Sequence, residues 1–153
     1  MKKIVVVFIM GVVLLTGCSE KQGKLVCKKE QDINANTKLE SVYTVDYKNG
    51  YVTKLDTVET ITSEEESVLN TYKENLEKIY SAYNNIKYYE NKIKMEKNKL
   101  ISTTKVDYEH IDTDKLIEID ENNKVAIENG KVKVSVLKEA YEGLNATCEE
   151  KSK

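Results

Sequence analysis

The chain of 153 residues contains no arginine, no tryptophan and no proline, and it has one histidine and six glycines. Without arginine it lacks the planar fork that reads guanine, phosphate or carboxylate through two parallel hydrogen bonds. The single histidine, His110, is accompanied by no G-x-S-x-G elbow, and no glycine-rich phosphate loop is present. These absences argue against nucleic-acid binding, and we expect no catalytic residue and no cofactor.

Acidic residues slightly outnumber basic ones. The clusters Glu64-Glu65-Glu66 and Asp120-Glu121 do not follow the oxygen-ligand spacing of a calcium loop, and the first is typical of the positive end of a helix. We therefore expect no metal site. A mildly acidic body also lacks the concentrated positive face that nucleic acids require.

The first seventeen residues have the layout of an export signal. Two lysines follow Met1, and Ile4 to Leu15 form a twelve-residue apolar run, which is too short for a membrane span of about 20 residues. The stretch Leu15-Thr16-Gly17-Cys18 resembles the lipobox of bacterial prolipoproteins. That resemblance implies cleavage before Cys18 and a diacylglycerol and palmitate anchor on Cys18; the alternatives are a plain secretory signal or an anchor helix with a bystander cysteine.

This reading divides the chain into a lipoprotein signal peptide (1–17), a lipidated tether (18–23) and a single domain (24–150). It places the domain on the extracytoplasmic face of the cell membrane, held there by lipid. The predicted partners are the membrane itself and either an envelope protein or a wall polymer, with no nucleic acid.

Cys27 and Cys148 are the two cysteines left after Cys18. An even pair in an exported chain favours a disulfide, because thiols stay oxidised outside the cytoplasm. The alternatives are two free buried thiols or a metal site, but two cysteines with no nearby histidine do not complete a zinc set. We expect a Cys27–Cys148 bridge near the two ends of the domain.

The first half of the domain predicts strands and then a long helix. Residues 24–33 and 39–61 are rich in Val, Thr and Tyr with polar alternation, and Lys48-Asn49-Gly50 is predicted to form a three-residue turn that pairs Tyr47 with Tyr51. Ser63 is the predicted N-cap of a helix, with Glu66 at the capping-box position. Apolar residues then recur at spacings of three and four up to Ile86, so this helix should lie on the sheet.

The second half is less regular. Residues 87–109 fit either a continued helix or a hairpin around Lys97-Asn98, and the hairpin is favoured. Asp112-Thr113-Asp114 is predicted to cap a short helix, and residues 135–146 predict a last helix before Cys148. The predicted fold class is therefore α+β, an antiparallel sheet made of a meander plus a hairpin, with helices packed on one face.

This sequence of features resembles small bacterial lipoproteins of the YehR-like kind. The resemblance rests on the lipobox, a cysteine in the first strand, the meander and long helix, a hairpin ending in "VDYEHID", and a closing helix followed by a cysteine. It implies a lipoprotein domain and supplies no active-site residue.

Tyrosine is the one aromatic residue that is plentiful, with ten copies. A row of exposed tyrosines at Tyr43, Tyr47 and Tyr51 would form a ligand face for sugars, wall polymers or peptides. The alternative is that these tyrosines fill the core for want of other aromatics. We expect a non-enzymatic binding or interaction domain; the alternatives are an envelope enzyme, such as a wall hydrolase or redox protein, or a docking inhibitor of another protein.

Overall fold

The computed structural model describes residues 21–152, so the predicted signal segment 1–17 and the predicted lipid-attachment residue Cys18 lie outside the described residues. Eight strands and three α-helices alternate along this part of the chain. In chain order they are β1 Gln22–Asn34, β2 Thr37–Lys48, β3 Tyr51–Ser63, α1 Glu66–Ser81, β4 Tyr89–Glu96, β5 Lys99–Asp107, α2 Thr113–Ile119, β6 Ile127–Glu128, β7 Lys131–Val132, α3 Val134–Gly143 and β8 Thr147–Ser152, with a 3-10 turn at Glu121–Val125 between α2 and β6.

Six of the strands form one antiparallel sheet in the order β4-β5-β3-β2-β1-β8. The meander β1-β2-β3 makes its centre, the hairpin β4-β5 adds to one side, and β8 returns to pair with β1. The helices pack on one face, and the fold is therefore α+β, as predicted. Within residues 21–152, no helix is long and apolar enough to cross a membrane.

The turn between β2 and β3 differs from the prediction. Asn49 and Gly50 form a two-residue loop with φ values of 52° and 82°, the left-handed conformations that Asn and Gly tolerate best. Tyr47 therefore pairs with Val52, and the predicted three-residue loop was wrong. An extra residue, Thr53, bulges from β3 and restores the alternation, so that Val45 pairs with Leu55.

Both ends of α1 differ from the prediction: the helix ends at Ser81, and Ile86, up to which the apolar stripe was followed, lies in the loop before β4. Strand β3 continues to Ser63 because Thr37 of β2 pairs with it, and the N-cap of α1 is Glu65 instead. The Ser63 hydroxyl is buried at the strand end, where it lies 3.1 Å from Thr37 Oγ1 and accepts a hydrogen bond from the Glu65 amide at 3.2 Å. Backbone pairing across the sheet thus outweighs the local capping signal.

Some of the remaining predictions are confirmed by the structure, and others differ from it. The hairpin β4-β5 is confirmed, and so is the α2 cap, where the Asp112 carboxylate accepts from the Asp114 amide at 3.2 Å. Strand β8 was not predicted; it follows α3 and places Cys148 opposite Cys27. Strand β1 begins at Gln22, so Gln22 and Gly23 of the predicted tether belong to the sheet.

Three separate apolar clusters fill the space between the sheet and its helices. The first lies under α3 and includes Leu25, Val45 and Tyr141. The second surrounds α2, with Val106 and Leu116, and the third lies under α1, with Leu69 and Leu100. No single cluster covers the whole inner face of the sheet, and polar residues occupy the centre of that face.

Candidate functional site: a tyrosine-lined cleft

A row of polar side chains crosses the middle of the helix-covered sheet face. Ser41 of β2 pairs with Glu59 of β3, and Glu59 also pairs with Ser102 of β5. The next pair on the same face, two residues away along β3, is Thr57 with Thr104. Since alternate strand residues share a face, all five belong to the same side of the sheet as the apolar clusters. Ser41 and Ser102 are only 1% and 2% exposed.

A cleft of about 230 Å³ opens above part of this row, and we call it the tyrosine cleft. Its base is formed by β2, β3, β4 and β5, and its walls by α1, the turn after α1, α2, the 3-10 turn and the residue after β5. The residues that line it are Tyr43, Leu55, Thr57, Glu59, Tyr80, Tyr83, Tyr89, Thr104, Val106, Tyr108, Leu116 and Asn123. Five of the twelve are tyrosines, so the surface combines aromatic rings with hydroxyl groups.

Two stacked ring pairs stand at the cleft. Tyr43 stacks on Tyr141 of α3 with 4.2 Å between ring centroids, and Tyr83 stacks on Tyr89 with 4.8 Å. Burial raises the pKa of the Tyr89 and Tyr141 hydroxyls and raises that of Tyr108 to about 12. These phenols therefore stay protonated at physiological pH and can donate hydrogen bonds.

Glu59 is the one carboxylate on the lining of the cleft. Burial raises its pKa, while a hydrogen bond from Tyr80 Oη, 3.3 Å from Glu59 Oε2, and the charge of Lys29 oppose that rise. Among the described residues, no lysine lies within 4.0 Å of this carboxylate to form an ion pair. The Glu59 charge is thus only partly compensated inside the protein.

The hydroxyl groups at the two ends of the polar row differ in their hydrogen bonding. Asn91 of β4 donates to Thr104 Oγ1 at 2.8 Å and to Ser102 Oγ at 3.2 Å, which fixes that end of the row. At the other end, Ser41 Oγ is buried without a hydrogen bond in the described part of the chain. The neighbouring Tyr43 hydroxyl is near enough to be affected by Ser41, but the pair does not reach hydrogen-bond geometry.

The structure separates the three tyrosines that the sequence singled out. Tyr43 lines the cleft, whereas Tyr47 packs over Gly23 of β1. Tyr51 lies at the beginning of β3, where its hydroxyl donates to Glu128 Oε2 at 3.5 Å and Lys131 Nζ lies 5.6 Å from its ring centroid. Of the three, Tyr43 alone contributes to the tyrosine cleft.

Sequence reasoning missed Glu59 and did not assign Tyr80 or Tyr83 to a site. A signal for each was present: Glu59 has the same strand parity as Thr57 and Ile61, and Tyr80 and Tyr83 are three residues apart in the apolar stripe that was predicted to meet the sheet, although α1 ends at Ser81 and Tyr83 lies in the turn after it. An acidic residue at an inward strand position opposite a helical tyrosine is the pattern that would have found the cleft.

His110 is placed elsewhere. Its Nδ1 lies 2.9 Å from Asp107 Oδ2 at the end of β5, and the imidazole is exposed. Burial would raise the pKa of Asp107, but hydrogen bonds from His110 and from the Glu109 amide outweigh it and lower that pKa. Across residues 21–152, no group of three His, Cys, Asp or Glu side chains is arranged to hold a metal ion.

Cys27 and Cys148 are joined in the structure by a disulfide with an S–S distance of 2.00 Å. The two residues form a cross-strand pair between β1 and β8, and Cys27 is completely buried in the cluster under α3. The disulfide therefore joins the last strand to the first. It lies in the same apolar cluster as Tyr141, which stacks on the cleft residue Tyr43.

Comparison with known proteins finds similarity at the level of the fold. No protein-family model matches the chain, and no curated protein sequence matches it. Among solved structures, the NMR structure of the E. coli YehR protein is similar, with a TM-score of 0.54 and 19% sequence identity over 86% of this chain and 92% of YehR. The chain shares its fold with YehR.

An NMR structure of a protein from Streptococcus pneumoniae TIGR4 is also similar, with 16% identity, 97% and 96% coverage of the two chains and a TM-score of 0.48. At 19% identity the likeness to YehR establishes the arrangement of strands and helices and transfers no residue role. The chemistry of the tyrosine cleft must therefore be argued from its own side chains.

Proposed function

We propose that this protein is a lipid-anchored, extracytoplasmic binding protein that holds a small ligand in the tyrosine cleft without transforming it. The cleft itself carries this proposal. Aromatic rings, phenol and threonine hydroxyls and one carboxylate converge on a cavity in the helix-covered face of a rigid sheet, and convergent polar groups in a partly apolar pocket are the usual composition of a ligand site.

The cleft chemistry favours binding over catalysis. Its lining supplies one carboxylate and five phenols, and the pKa values of Tyr43, Tyr80, Tyr83, Tyr89 and Tyr108 are all raised, which moves these hydroxyls away from acting as bases at neutral pH. His110, the residue best suited to proton transfer, sits with Asp107 and outside the cleft lining. Such a site holds and orients a molecule.

The location follows from the segment before Lys21. The lipobox-like stretch Leu15 to Cys18 would place a diacylglyceryl group on Cys18, and two acyl chains give stable membrane attachment where one is marginal. The disulfide between β1 and β8 fits an oxidising compartment outside the cytoplasm. The proposed ligand is therefore one met at the cell envelope, free or attached to an envelope protein or wall polymer.

Anchoring is tested by Cys18→Ala in the full-length chain. The native protein should fractionate with membranes, and its N-terminal peptide should carry a diacylglyceryl mass on Cys18. The variant should either remain an unprocessed precursor or leave the membrane. Ser19→Ala is the matched control and should behave as the native chain; lipid-free Cys18 in the native protein would refute the anchor.

Ligand binding is tested separately by NMR on the full-length protein in a non-ionic detergent. A panel of amino acids, amines and monosaccharides is titrated, and backbone amide shifts are followed. Binding in the cleft predicts shifts confined to lining residues such as Thr57, Thr104 and Tyr108. Shifts confined to the uncovered face of the sheet would contradict the assignment.

A further inference from the structure

We propose that the ligand of the tyrosine cleft is a small organic cation of the ammonium class, held between the Glu59 carboxylate and the tyrosine rings. This inference rests on the proposed function, because it names the chemistry of the molecule that the cleft binds. It is carried by the charge of the lining, by its aromatic content and by its volume.

The charge of the lining selects a cation. Glu59 is the one charged side chain among the twelve residues that line the cleft, and the one hydrogen bond that its carboxylate accepts within residues 21–152, from Tyr80, is 3.3 Å long. A carboxylate has about four acceptor positions, so most of its capacity is open to a donor from outside. Lys29 is the cation with the largest influence on Glu59, yet it forms no ion pair with it within 4.0 Å in the described part of the chain. An anionic ligand would be repelled here.

The same lining disfavours a metal ion. Calcium takes six to eight oxygen ligands and usually several carboxylates, whereas this cleft offers one carboxylate with phenol and threonine hydroxyls. Phenols that keep their protons are poor ligands, and burial raises the pKa of Tyr89 and of Tyr80. The compensating positive charge is therefore better supplied by a larger and softer ion.

Aromatic rings bind such an ion well. An ammonium group over the face of a tyrosine ring is attracted by the ring quadrupole, and sets of aromatic rings are a known way to recognise quaternary ammonium groups. Tyr43 has one ring face covered by Tyr141, which leaves the other face outside that stack. Tyr80, Tyr83 and Tyr108 line the same cleft, and Tyr80 contacts the Glu59 carboxylate directly, so aromatic rings make up much of the surface that a cation would meet there.

The volume sets the size of the cation. A cavity of about 230 Å³ equals the liquid volume of about eight waters, which suits a head group such as choline or tetramethylammonium and excludes a long polyamine in full. A primary alkylamine would fit as well and would add hydrogen bonds to Glu59 and to the threonine hydroxyls. The cleft is therefore matched to a single ammonium group.

The test compares choline with its uncharged isostere, 3,3-dimethyl-1-butanol, by NMR titration of the full-length chain in non-ionic detergent, with tetramethylammonium and butylamine as further cations. We expect choline to shift the amides of cleft residues and to bind at least about tenfold more tightly than the isostere, because only choline gains the carboxylate and ring-quadrupole attraction. Choline and the isostere have nearly the same shape, so the difference reports charge.

Two variants separate this inference from a general loss of structure. Glu59→Gln keeps the side-chain shape and should weaken choline binding about tenfold without changing the affinity for the isostere; Glu74→Gln on the exposed face of α1 is the matched control. Tyr80→Phe keeps the ring and removes the hydroxyl that competes for Glu59, so choline affinity should be retained or increased.

Three outcomes would overturn the cation assignment. The first is that no cation shifts a cleft residue, and the second is that the isostere binds as well as choline. The third is that, with both variants folded, Glu59→Gln does not weaken choline binding or Tyr80→Phe does weaken it. A neutral sugar that shifts cleft residues when the cations do not would refute the cation and leave the proposed binding function standing. Absence of any cleft shift with the whole panel would count against both.

Discussion

At the scale of single residues, tyrosine decides the character of this core. The one phenylalanine, Phe8, lies in the predicted signal segment and tryptophan is absent, so all large aromatic packing in the domain brings a hydroxyl with it. A buried hydroxyl costs free energy unless it finds a polar partner. The serines, threonines and Glu59 on the inner sheet face are consistent with that need, and Thr57, Thr104 and Glu59 line the tyrosine cleft together with the phenols.

Gly23 shows how closely one tyrosine packs. A Cβ atom at this position would clash with the ring and hydroxyl of Tyr47 across the strand pair, so any larger residue would force the Tyr47 side chain out of its place over β1. We expect Gly23→Ala to lower the free energy of unfolding by about 1–3 kcal/mol, measured by urea denaturation. In a Tyr47→Ala background the same substitution should cost much less, and equal costs in the two backgrounds would refute the clash.

Glu59 predicts a pH dependence of stability. Burial raises its folded-state pKa above the ordinary value of 4.5, so the folded protein holds this proton more tightly than the unfolded chain. The contribution of Glu59 to stability is therefore greatest below pH 4.5 and declines as the pH rises through its raised folded value. Glu59→Gln should remove this decline and leave the variant more stable than the native protein at neutral pH.

The measurement is the free energy of unfolding of both proteins over a pH series. Exposed carboxylates such as Glu96, whose pKa is lowered, give slopes of the opposite sign in both proteins and cancel in the difference. Glu74→Gln should show no such difference from the native chain. Identical pH profiles for the native protein and Glu59→Gln would show that the carboxylate titrates normally.

At the scale of elements, long-range pairing decided the boundaries that local signals missed. The pair Asp112 and Asp114 marked α2 correctly, because an Asx cap needs only three neighbouring residues. Ser63 carried an equally good cap signal, yet Thr37 holds it in the sheet. Capping is worth about 1 kcal/mol, and strand pairing with side-chain burial can exceed it.

Strand β8 is the clearest case. The sequence "TCEEKS" has neither apolar alternation nor strong strand formers, and it becomes a strand because β1 offers an edge and Cys27 a covalent partner. We expect Cys27→Ala with Cys148→Ala to lower the free energy of unfolding by about 2–5 kcal/mol, since the bridge closes a separation of 121 residues. The loss should be largest in β8.

Hydrogen exchange measures where that loss falls. Amides of β8 should lose protection first in the double variant, while the β2-β3 ladder keeps it. Added reductant should destabilise the native protein and leave the double variant unchanged, which makes reductant the internal control. Unchanged protection of β8 would show that backbone pairing alone retains the strand.

At the scale of the whole molecule, the proposed anchor and the sheet are very close in sequence. Only Ser19 and Glu20 separate Cys18 from Lys21, whose backbone carbonyl accepts from the Asn49 amide at 2.7 Å. Three residue steps span at most about 11 Å. If Cys18 carries lipid, the end of the sheet formed by Lys21 and the Asn49-Gly50 turn must lie near the bilayer surface.

Depth measurements test this orientation. Fluorescent labels at Gln22→Cys and Asn34→Cys mark the two ends of β1, about 40 Å apart at 3.3 Å per residue. A quencher attached to lipid headgroups should quench the Gln22 label much more strongly, and a glycine-serine insertion after Glu20 should reduce that quenching. Equal quenching at both positions would exclude a short, upright tether.

The sequence by itself determined the meander, the second hairpin, the presence and order of the three helices, and the α+β class, because alternation, helical periodicity and turn residues act over short distances. Tertiary structure decided the features that short-range signals do not specify. These are the two-residue turn with its Thr53 bulge, the pairing of β8 with β1, and the convergence of Glu59, Tyr80, Tyr83 and Tyr108 on one cleft. These residues are far apart along the chain, and their meeting is fixed by strand register and helix placement. The candidate site is therefore a product of packing, which a single sequence constrains only weakly.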